Sequence, residues 1–421
     1  MPGHDVIVVG AGITGLASAY HIKRNNPDMS VCLVEKEKTY AQGNTGRSAA
    51  GFRDTFTSEM NYILSSSSIE FYKHVQNKLG FNLGMDSCGY LFLLESGKLD
   101  SPAIKKVMSR SRGKIVSASD VENSGINTKP EKDVAEMMNL PEIGGGFLGE
   151  NCGIIEPDLI CSFYDSELRK MGVELKYGTK VNSLSLAPTK TLDYPGEPFL
   201  WQDKTINSLE TNSGELKADK YVLCTDVWTT DLLAPLGIDS HTLPKKRQIF
   251  QASGKEVQNM VSKRMDGSEG TFPFLILPSC GIYLRPEPKS KSFWISTADD
   301  IGRPYSYEED PQPEKDFYNL GMLPVAQEYI PQIKNSKITS SWAGHYAYNT
   351  IDKTHYIFES LNVIVATGTS GSGIMKGDSA GRVVSAIVSG EKTAKTFTNR
   401  VINVDELGIK KRKVEIEELV I

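Results

Sequence analysis

The sequence predicts a fold that combines α/β and α+β parts: a discontinuous Rossmann-like nucleotide-binding domain with an inserted, largely antiparallel β-sheet domain. Three observations predict it. A glycine-rich βαβ unit opens the chain, a second glycine-rich strand and helix lie at 362–390, and β-rich segments with Pro- and Gly-bearing turns fill about 240–340. Since α/β segments lie at both ends and also in the centre, at 151–235, we expect the second domain to be threaded through the first.

The domain boundaries are placed where the sequence changes between α/β and β-rich patterns. The nucleotide-binding domain is predicted at 1–85, 150–235 and 340–395, and the inserted substrate domain at 86–149 and 236–339. Residues 396–421 are predicted to be a C-terminal tail. Three polar segments are expected on the solvated surface: the serines at 65–68, the strand-edge residues Lys245, Lys246 and Arg247, and the basic run at 409–413.

Composition limits the classes of function. The chain has 421 residues with 47 basic and 52 acidic side chains, a net charge of −5, which argues against a nucleic-acid-binding protein. We expect no membrane span and no signal peptide, and therefore a cytoplasmic protein. The six cysteines form no C-x-x-C pair, so we predict neither a metal site nor a disulfide framework.

The first element is a dinucleotide-binding βαβ unit. The apolar run Asp5–Val9 predicts a buried parallel strand, the following helix ends near Asn25, and Val31–Val34 predicts a second strand. Between strand and helix lie three glycines with distinct roles: Gly10 permits the turn, Gly12 leaves room for a pyrophosphate, and Gly15 allows close helix packing. The phosphates are expected on the helix N-terminus, against the fingerprint residues Ala11, Ile13 and Thr14.

An acid at the end of the second strand completes this fingerprint. Glu35 lies 20 residues after Gly15, where a carboxylate accepts hydrogen bonds from an adenosine ribose. Lys36, the next residue, is also predicted to contact the cofactor.

The second glycine-rich segment favours FAD over NAD. Val363–Thr367 predicts a buried strand that runs into a loop with glycines at 368, 371 and 373, and Ile374–Val388 predicts a helix. A second glycine-rich helix start so far along the chain would serve the other end of a long cofactor. Its positive dipole end would favour the negative charge that develops on a reduced flavin. A simple loop before a packing helix is the alternative.

Motifs spread over residues 5 to about 390 resemble one superfamily. They are VIVVGAGITG, NTGRSAAGFRDTF, GIIEPDLI, GTKV, ADKYVLCTDVW, GIYLRP, WAGHYAYNTID and VATGTSGSGI. The chain resembles the D-amino-acid-oxidase-like FAD oxidoreductases, which include sarcosine oxidase, dimethylglycine dehydrogenase, glycine oxidase and the β subunit of L-proline dehydrogenase. WAGHYAYNTID is similar to a branch of FAD-dependent oxidoreductase-domain proteins, one of which helps assemble respiratory complex I.

The resemblance implies further cofactor contacts. Those residues are Arg47, Ser48, Ala49, Ala50, Val181, Trp228, Gly344, Tyr346, Gly371, Gly373, Ile374 and Met375. Relatives that attach flavin covalently do so through a His or Cys in the segments that here hold Ser48 and Gly344, so we predict non-covalent FAD. Sarcosine oxidases also place a substrate-binding Lys shortly after their SGxG motif. Here Met375 stands there with Lys376 one step on, which leaves that contact open.

Four residues are predicted to act on the substrate: Arg53, Arg285, His345 and Tyr346. Arg53 could grip a substrate carboxylate with two hydrogen bonds, with an ion-pair role as its alternative. Arg285 could be a second anion contact, or could pair with Glu287. His345, beside Tyr346, could hydrogen-bond the substrate or remain structural.

We therefore expect an FAD-dependent amine or amino-acid dehydrogenase or oxidase. Its substrate would be a small carboxylate-bearing amine, such as sarcosine, dimethylglycine or proline, that loses a hydride to flavin. Two alternatives remain: a flavoprotein for assembly or electron delivery in a larger complex, and a 2-hydroxy-acid dehydrogenase. The sequence leaves open the electron acceptor (dioxygen, a protein or a quinone), the partner subunits and the oligomeric state.

Overall fold

The computed structural model describes residues 3–265, 270–298 and 302–419. Within these ranges the strands are β1 (His4–Val9), β2 (Val31–Glu35), β3 (Gly51–Phe52), β4 (Tyr90–Leu94), β5 (Gly113–Ser117), β6 (Gly145–Gly149), β7 (Gly153–Ile154), β8 (Glu174–Tyr177), β9 (Val181–Pro188), β10 (Lys204–Thr211), β11 (Gly214–Leu216), β12 (Ala218–Leu223), β13 (Thr242–Ser253), β14 (Phe274–Ile276), β15 (Ile282–Glu287), β16 (Ser292–Thr297), β17 (Lys337–Asn349), β18 (Tyr356–Ser360), β19 (Val363–Thr367), β20 (Thr393–Lys395) and β21 (Val401–Asn403). The α-helices are α1 (Ile13–Asn25), α2 (Glu59–Asn77), α3 (Pro102–Met108), α4 (Ala118–Asn123), α5 (Lys132–Met138), α6 (Pro157–Lys170), α7 (Thr229–Leu233), α8 (Lys255–Val261), α9 (Leu323–Tyr329) and α10 (Gly373–Val388).

The first sheet is a six-stranded Rossmann-type sheet with the order β18-β19-β12-β1-β2-β8. Its neighbours pair in parallel except for β18 and β19, which are antiparallel. Helices α1, α2, α6 and α10 cover one face, and the three-stranded sheet β11-β10-β9 covers the other. Burial on both faces explains why β1, β2 and β19 are continuously apolar rather than alternating.

Two helices of this layer cross at very short range. Helix α10 packs across α1, and a Cβ added at Gly381 would lie 2.6 Å from the backbone carbonyl carbon of Ala17. A Cβ at Gly377 would lie 2.6 Å from a side-chain carbon of Ile13. Glycine at these positions therefore allows the two helices that follow the glycine-rich loops to lie side by side.

The second sheet has eight strands in the order β17-β13-β16-β15-β14-β4-β6-β5. All of its pairs are antiparallel except β14 with β4. Its core packs against α8 and α9. The domain boundaries stay a prediction; β17, which crosses the boundary proposed at 340, hydrogen-bonds along its length to β13 of this sheet.

The topology brings three loops to one edge of the parallel sheet. Strands β19, β12 and β1 are adjacent and parallel, so their carboxyl ends lie together. The loops that leave these ends are the second glycine loop, the segment Thr225–Trp228 and the first glycine loop. In open α/β sheets ligands bind in the crevice at this edge.

Two of the three segments expected on the surface are instead largely buried, whereas the basic run 409–413 is exposed except for Arg412. Ser65, Ser67 and Ser68 are buried in α2, where the Ser68 hydroxyl donates to Ser379 Oγ of α10 at 3.0 Å. Small hydroxyl side chains suit this site because the two helices lie close together. Arg412 of the basic run forms a buried ion pair with Asp352 at 2.6 Å.

The basic residues at 245–247 are buried because β13 is an interior strand, paired with β17 on one side and β16 on the other. Lys245 donates to the carbonyl of Arg303. Lys246 pairs with Glu308 at 2.8 Å and Glu314 at 3.1 Å. Lys245 and Lys246 therefore each have a partner in the segment that follows β16.

Candidate active site

The first glycine loop forms a cradle between β1 and α1. Gly10 has a φ of +103°, which favours glycine, and a Cβ at Gly15 would lie only 1.8 Å from the carbonyl oxygen of Gly10. Gly12 is the N-cap of α1 and supplies no side-chain cap. The start of α1 is therefore held tightly against β1 and its N-terminus faces open space in the cavity.

The acid at the end of β2 closes one end of this cradle. Glu35 accepts a hydrogen bond from the backbone N–H of Ala11 at 2.7 Å, and its other oxygen accepts from the N–H of Glu37 at 2.9 Å. Lys36 Nζ lies 3.8 Å from the ring centre of Trp228, and burial lowers its pKa. Glu35, Lys36, Val181 and Trp228 all line the same cavity.

The second glycine loop is docked on β17. Gly371 has a φ of +79°, and a Cβ there would lie 2.3 Å from Cε2 of Tyr346. The N–H of Ser370 donates to the carbonyl of Ala347 at 2.8 Å. The ring of Tyr346 therefore lies directly against this loop, where α10 begins.

A single cavity of about 610 Å³ joins both glycine loops. The structure brings to its walls 20 of the predicted site residues: Gly10, Gly12, Ile13, Thr14, Glu35, Lys36, Arg47, Ser48, Ala49, Ala50, Arg53, Val181, Trp228, Gly344, His345, Tyr346, Gly371, Gly373, Ile374 and Met375. Ala11 and Gly15 lie behind the wall, consistent with backbone and packing roles.

Arg285 is the predicted site residue that needs correction. It lies outside the cavity and is fully buried. It pairs with Glu287, its Nη2 lies 3.6 Å from Glu156 Oε1, and its guanidinium lies 4.0 Å from the ring centre of Trp294. The alternative of structural pairing therefore describes Arg285, and we assign it no substrate contact.

Arg53 lines the cavity, and its guanidinium group is held by two backbone carbonyl groups. Its Nη1 donates to the carbonyl of Thr55 at 2.5 Å, and its Nη2 donates to the carbonyl of Leu419 at 2.9 Å. Burial lowers the pKa of this guanidinium. These two bonds use two of its five N–H groups, and its Nε has no hydrogen-bond partner among the described residues, so a contact with a carboxylate stays a prediction.

Lys376 provides the cation that sequence reasoning left open. It is 1% exposed, lines the cavity, and donates to Asn61 Oδ1 and Ser372 Oγ, each at 2.6 Å. An ammonium group has three N–H bonds, so one remains for a ligand. Burial, and to a lesser degree the charge of Arg53, lowers its pKa to about 7.

Lys376 and Arg53 lie on the same aromatic ring. Arg53 lies 3.9 Å and Lys376 Nζ 4.6 Å from the ring centre of Phe56. We call this end of the cavity the inner chamber and define it by Arg53, Phe56, Asn61, Tyr90, Tyr346 and Lys376. It is both apolar and positively charged, as a pocket for a small organic anion should be.

His345 lies at the wall next to the chamber. Its ring stacks on Tyr307 at 5.4 Å, and its Nε2 accepts from the backbone N–H of Glu308 at 3.2 Å. Burial lowers its pKa, which favours the neutral ring. These contacts suit a residue that holds the segment around Tyr307 over the cavity.

Asp226 is a wall residue that sequence reasoning missed. It has a φ of +48° and accepts from Asn44 Nδ2 at 3.0 Å and from Thr369 Oγ1 at 3.2 Å. Burial raises its pKa to about 6. It ties together the loops after β2, β12 and β19, and nothing in the local pattern TDVW signals this role.

The positions used for covalent flavin in relatives hold Ser48 and Gly344, and both line the cavity. Cys224 also lines it, but burial raises the pKa of its thiol to about 12, which keeps it protonated.

We predict that acid or denaturant releases all yellow colour from the polypeptide, because Ser48 and Gly344 stand where relatives with covalent flavin have a His or Cys. Absorbance of the supernatant and of the precipitated chain measures this. Colour that stays on washed precipitate would show a covalent link.

Comparison with known proteins decides the family. The family described as FAD dependent oxidoreductase (DAO) matches residues 5–387. The chain belongs to this family. The flavoprotein is 24% identical to the FAD-dependent oxidoreductase domain-containing protein 1 of Xenopus laevis, over 91% of this chain and 79% of that protein. It is 25% identical to mitochondrial dimethylglycine dehydrogenase of Rattus norvegicus, over 59% of this chain and 26% of that protein.

The fold comparison agrees with the predicted architecture. The structure of L-proline dehydrogenase from P. horikoshii matches with a TM-score of 0.70 and 23% identity, over 93% of this chain and 95% of that one. Glycine oxidase from Geobacillus kaustophilus matches with a TM-score of 0.67 and 16% identity, over 99% and 100%. The predicted fold class is therefore confirmed.

The residues present fit FAD. The uncapped start of α1 faces the cavity beside Gly12, and the Glu35 carboxylate keeps acceptor capacity beyond its two backbone bonds. The second helix start, at Gly373, lies on the same cavity. Among the described helices, none has both the length and the apolar character to cross a membrane.

Proposed function

We propose that this flavoprotein oxidises a small carboxylate-bearing amine, a secondary or N-methylated amino acid such as sarcosine, dimethylglycine or proline. The observation that carries the proposal is the inner chamber, where two cations, Lys376 and Arg53, lie on one phenyl ring beside the second glycine loop. Relatives named dimethylglycine dehydrogenase and sarcosine oxidase subunit beta support the same substrate class.

Lys376 is the proposed carboxylate ligand. Its two hydrogen bonds to Asn61 and Ser372 fix the ammonium group, and its third N–H is available to the anion. A carboxylate bound there would hold Lys376 in its charged form, because an opposite charge at contact distance raises a lysine pKa. Arg53 adds to the positive potential of the chamber.

Aromatic rings form the remaining walls and exclude water. Tyr90 stacks on Phe274 with ring centres 4.1 Å apart, and burial raises the pKa of Tyr90 and Tyr346, which keeps both phenols neutral. Because these walls lower the local dielectric constant, they strengthen the attraction between the substrate carboxylate and Lys376. They also hold the carbon to be oxidised in one orientation.

FAD, when bound, supplies the acceptor for a hydride from the carbon next to the amine nitrogen. The positive charges of Arg53 and Lys376 favour a substrate whose amine is neutral over one whose amine is charged. No side-chain base is therefore needed to remove that proton in the chamber. Water then hydrolyses the imine product.

Anaerobic mixing of the yellow protein with sarcosine, dimethylglycine, L-proline and a set of 2-hydroxy acids tests the proposal. We expect at least one amine to bleach the flavin absorbance. Bleaching by hydroxy acids alone would replace the proposal with 2-hydroxy-acid oxidation. If nothing in the panel bleaches the flavin, the amine oxidation proposal fails.

A second candidate function is electron delivery or assembly within a larger complex. One surface feature favours it: the connection between β9 and β10 exposes Tyr194, Leu200 and Trp201, with Leu200 93% exposed. Exposed apolar groups of this size are typical of contact surfaces. An unbleached flavin together with a stable, stoichiometric partner complex lost on Trp201→Ser substitution would favour this function.

A further inference from the structure

The last described segment of the chain returns to the inner chamber as a strap. We define the C-terminal strap as residues 412–419. At its start Arg412 pairs with Asp352 at 2.6 Å, with both side chains 3% exposed. At its end Leu419 is buried against a cluster that includes Tyr90 and Phe274. The predicted tail is thus fixed at both ends by buried contacts.

Glu417 is the strap residue that lines the cavity. Its carboxylate accepts from the backbone N–H and hydroxyl of Thr57, both at 2.7 Å, and from the N–H and hydroxyl of Ser58 at 3.0 and 3.1 Å. Burial opposes its charge, but Arg53 and these hydrogen bonds prevail and lower its pKa. Glu417 is therefore ionised at neutral pH.

The strap acts on Arg53 in two ways. The carbonyl of Leu419 accepts from Arg53 Nη2 at 2.9 Å, and the Glu417 carboxylate offsets the arginine charge. The inner chamber thus contains two positive groups, Arg53 and Lys376, and one negative group from the strap. A further cavity cation, Arg247, lies 5.3 Å from the ring centre of Tyr346 and donates to Tyr348 and to the carbonyl of Ala298.

From this balance we infer that Glu417 determines the charge of the substrate: with Glu417 in place the chamber accepts one carboxylate, held on Lys376, and disfavours a second. The inference rests on the proposed function. A dicarboxylate would need Arg53 as its second partner. There it would meet the Leu419 carbonyl and the repulsion of a desolvated carboxylate, which costs a like-charged ligand much of its affinity.

The structural alternative is that Glu417 only fixes the turn that leads into helix α2, through the N–H and hydroxyl groups of Thr57 and Ser58. A purely structural role would affect folding or every ligand equally. Charge selection would instead change the ratio between ligands that differ by one carboxylate. The test therefore measures a ratio.

Two thioethers make a matched pair of probes: methylthioacetate has one carboxylate, thiodiacetate has two, and neither has an amine to oxidise. Their dissociation constants are measured by calorimetry on the FAD-loaded protein and on its Glu417→Gln variant, with flavin content and thermal unfolding recorded for each. Glu415→Gln is the matched control, because Glu415 is an exposed strap residue that accepts from the N–H of Glu59.

We expect the native protein to prefer methylthioacetate and Glu417→Gln to shift the ratio of the two constants toward thiodiacetate by about tenfold or more. Glu415→Gln should leave the ratio unchanged. Adding Arg53→Met to Glu417→Gln should remove the gain, because Arg53 is the second carboxylate partner.

An unchanged ratio in a folded, FAD-loaded Glu417→Gln protein would overturn the charge selection while leaving the proposed function intact. If the shift toward thiodiacetate persists after Arg53→Met is added, the charge selection is also overturned. If neither probe binds to any of these proteins, both the selection and the proposed carboxylate site are wrong.

Discussion

Replacing Gly12 by valine is expected to yield a folded protein that carries no FAD. Gly12 has a φ of −76°, which any residue adopts, and the nearest atom to an added Cβ is Thr45 Oγ1 at 3.1 Å. The backbone therefore tolerates the change, while the branched side chain enters the space meant for the pyrophosphate. Flavin absorbance of the purified protein, with circular dichroism for folding, measures the result.

Gly97→Val is the matched control. A Cβ at Gly97 meets no atom within 4 Å, so this variant should be as yellow as the native protein. Normal FAD content in the Gly12→Val variant would reject the fingerprint interpretation of the first loop.

Replacing Lys376 by methionine is expected to weaken carboxylate ligands by roughly 100-fold, the size of losing one charged hydrogen bond in a desolvated site. The same variant should bind pyrrolidine, the decarboxylated analogue of proline, at least as tightly as the native protein does, because the loss of the Lys376 charge removes repulsion of the charged amine. Lys289→Met is the control, because the Lys289 side chain is 74% exposed and lies outside the cavity. Equal weakening of proline and pyrrolidine would mean that Lys376 only supports the fold.

The pKa of Lys376 adds a pH dependence with a definite sign. Because burial lowers that pKa to about 7, Lys376 is charged below pH 7 and loses its proton as the pH rises. Binding of methylthioacetate should therefore weaken from pH 6 to pH 8, a range set by that value, and the Lys376→Met variant should lack this slope. A slope of the same size in the variant would assign the titration to another group, such as His345.

The parts of the fold that follow from local pattern were predictable. Strand β1, the Gly10–Gly15 turn and α1 are specified within 25 residues by apolar runs and glycine spacing, and the structure agrees. The strand at 363–367 has the predicted bounds for the same reason. Strand β12 ends at Leu223, because Thr225 already belongs to the turn that presents Asp226.

The features that the sequence did not reveal, or for which the prediction was wrong, depend on contacts between residues that are distant in the sequence. Glu417 binds Thr57 from 360 positions away, and no periodicity near either residue reveals this. Arg247 looks like surface by composition, yet β13 has a neighbour on each side. Ser68 is polar but buried because α10 brings Ser379 within hydrogen-bonding distance.

The candidate site likewise contains residues that local motifs reveal and residues whose roles depend on distant contacts. The glycine loops and Glu35 follow from the fingerprint, and Arg53 and Tyr346 follow from the family resemblance. The role of Lys376 was left open because Met375 occupies the position of the lysine in sarcosine oxidases and Lys376 stands one residue further on. Arg285 was misplaced because its strand, β15, directs the guanidinium toward Glu287 and Trp294 instead of the cavity.

The most direct test is a crystal structure of the yellow protein with methylthioacetate bound. We expect the FAD pyrophosphate at the start of α1 beside Gly12, the flavin ring beside Gly371, and the ligand carboxylate within hydrogen-bonding distance of Lys376 Nζ. A flavin outside this cavity, or a carboxylate bound away from Lys376, would contradict this expectation.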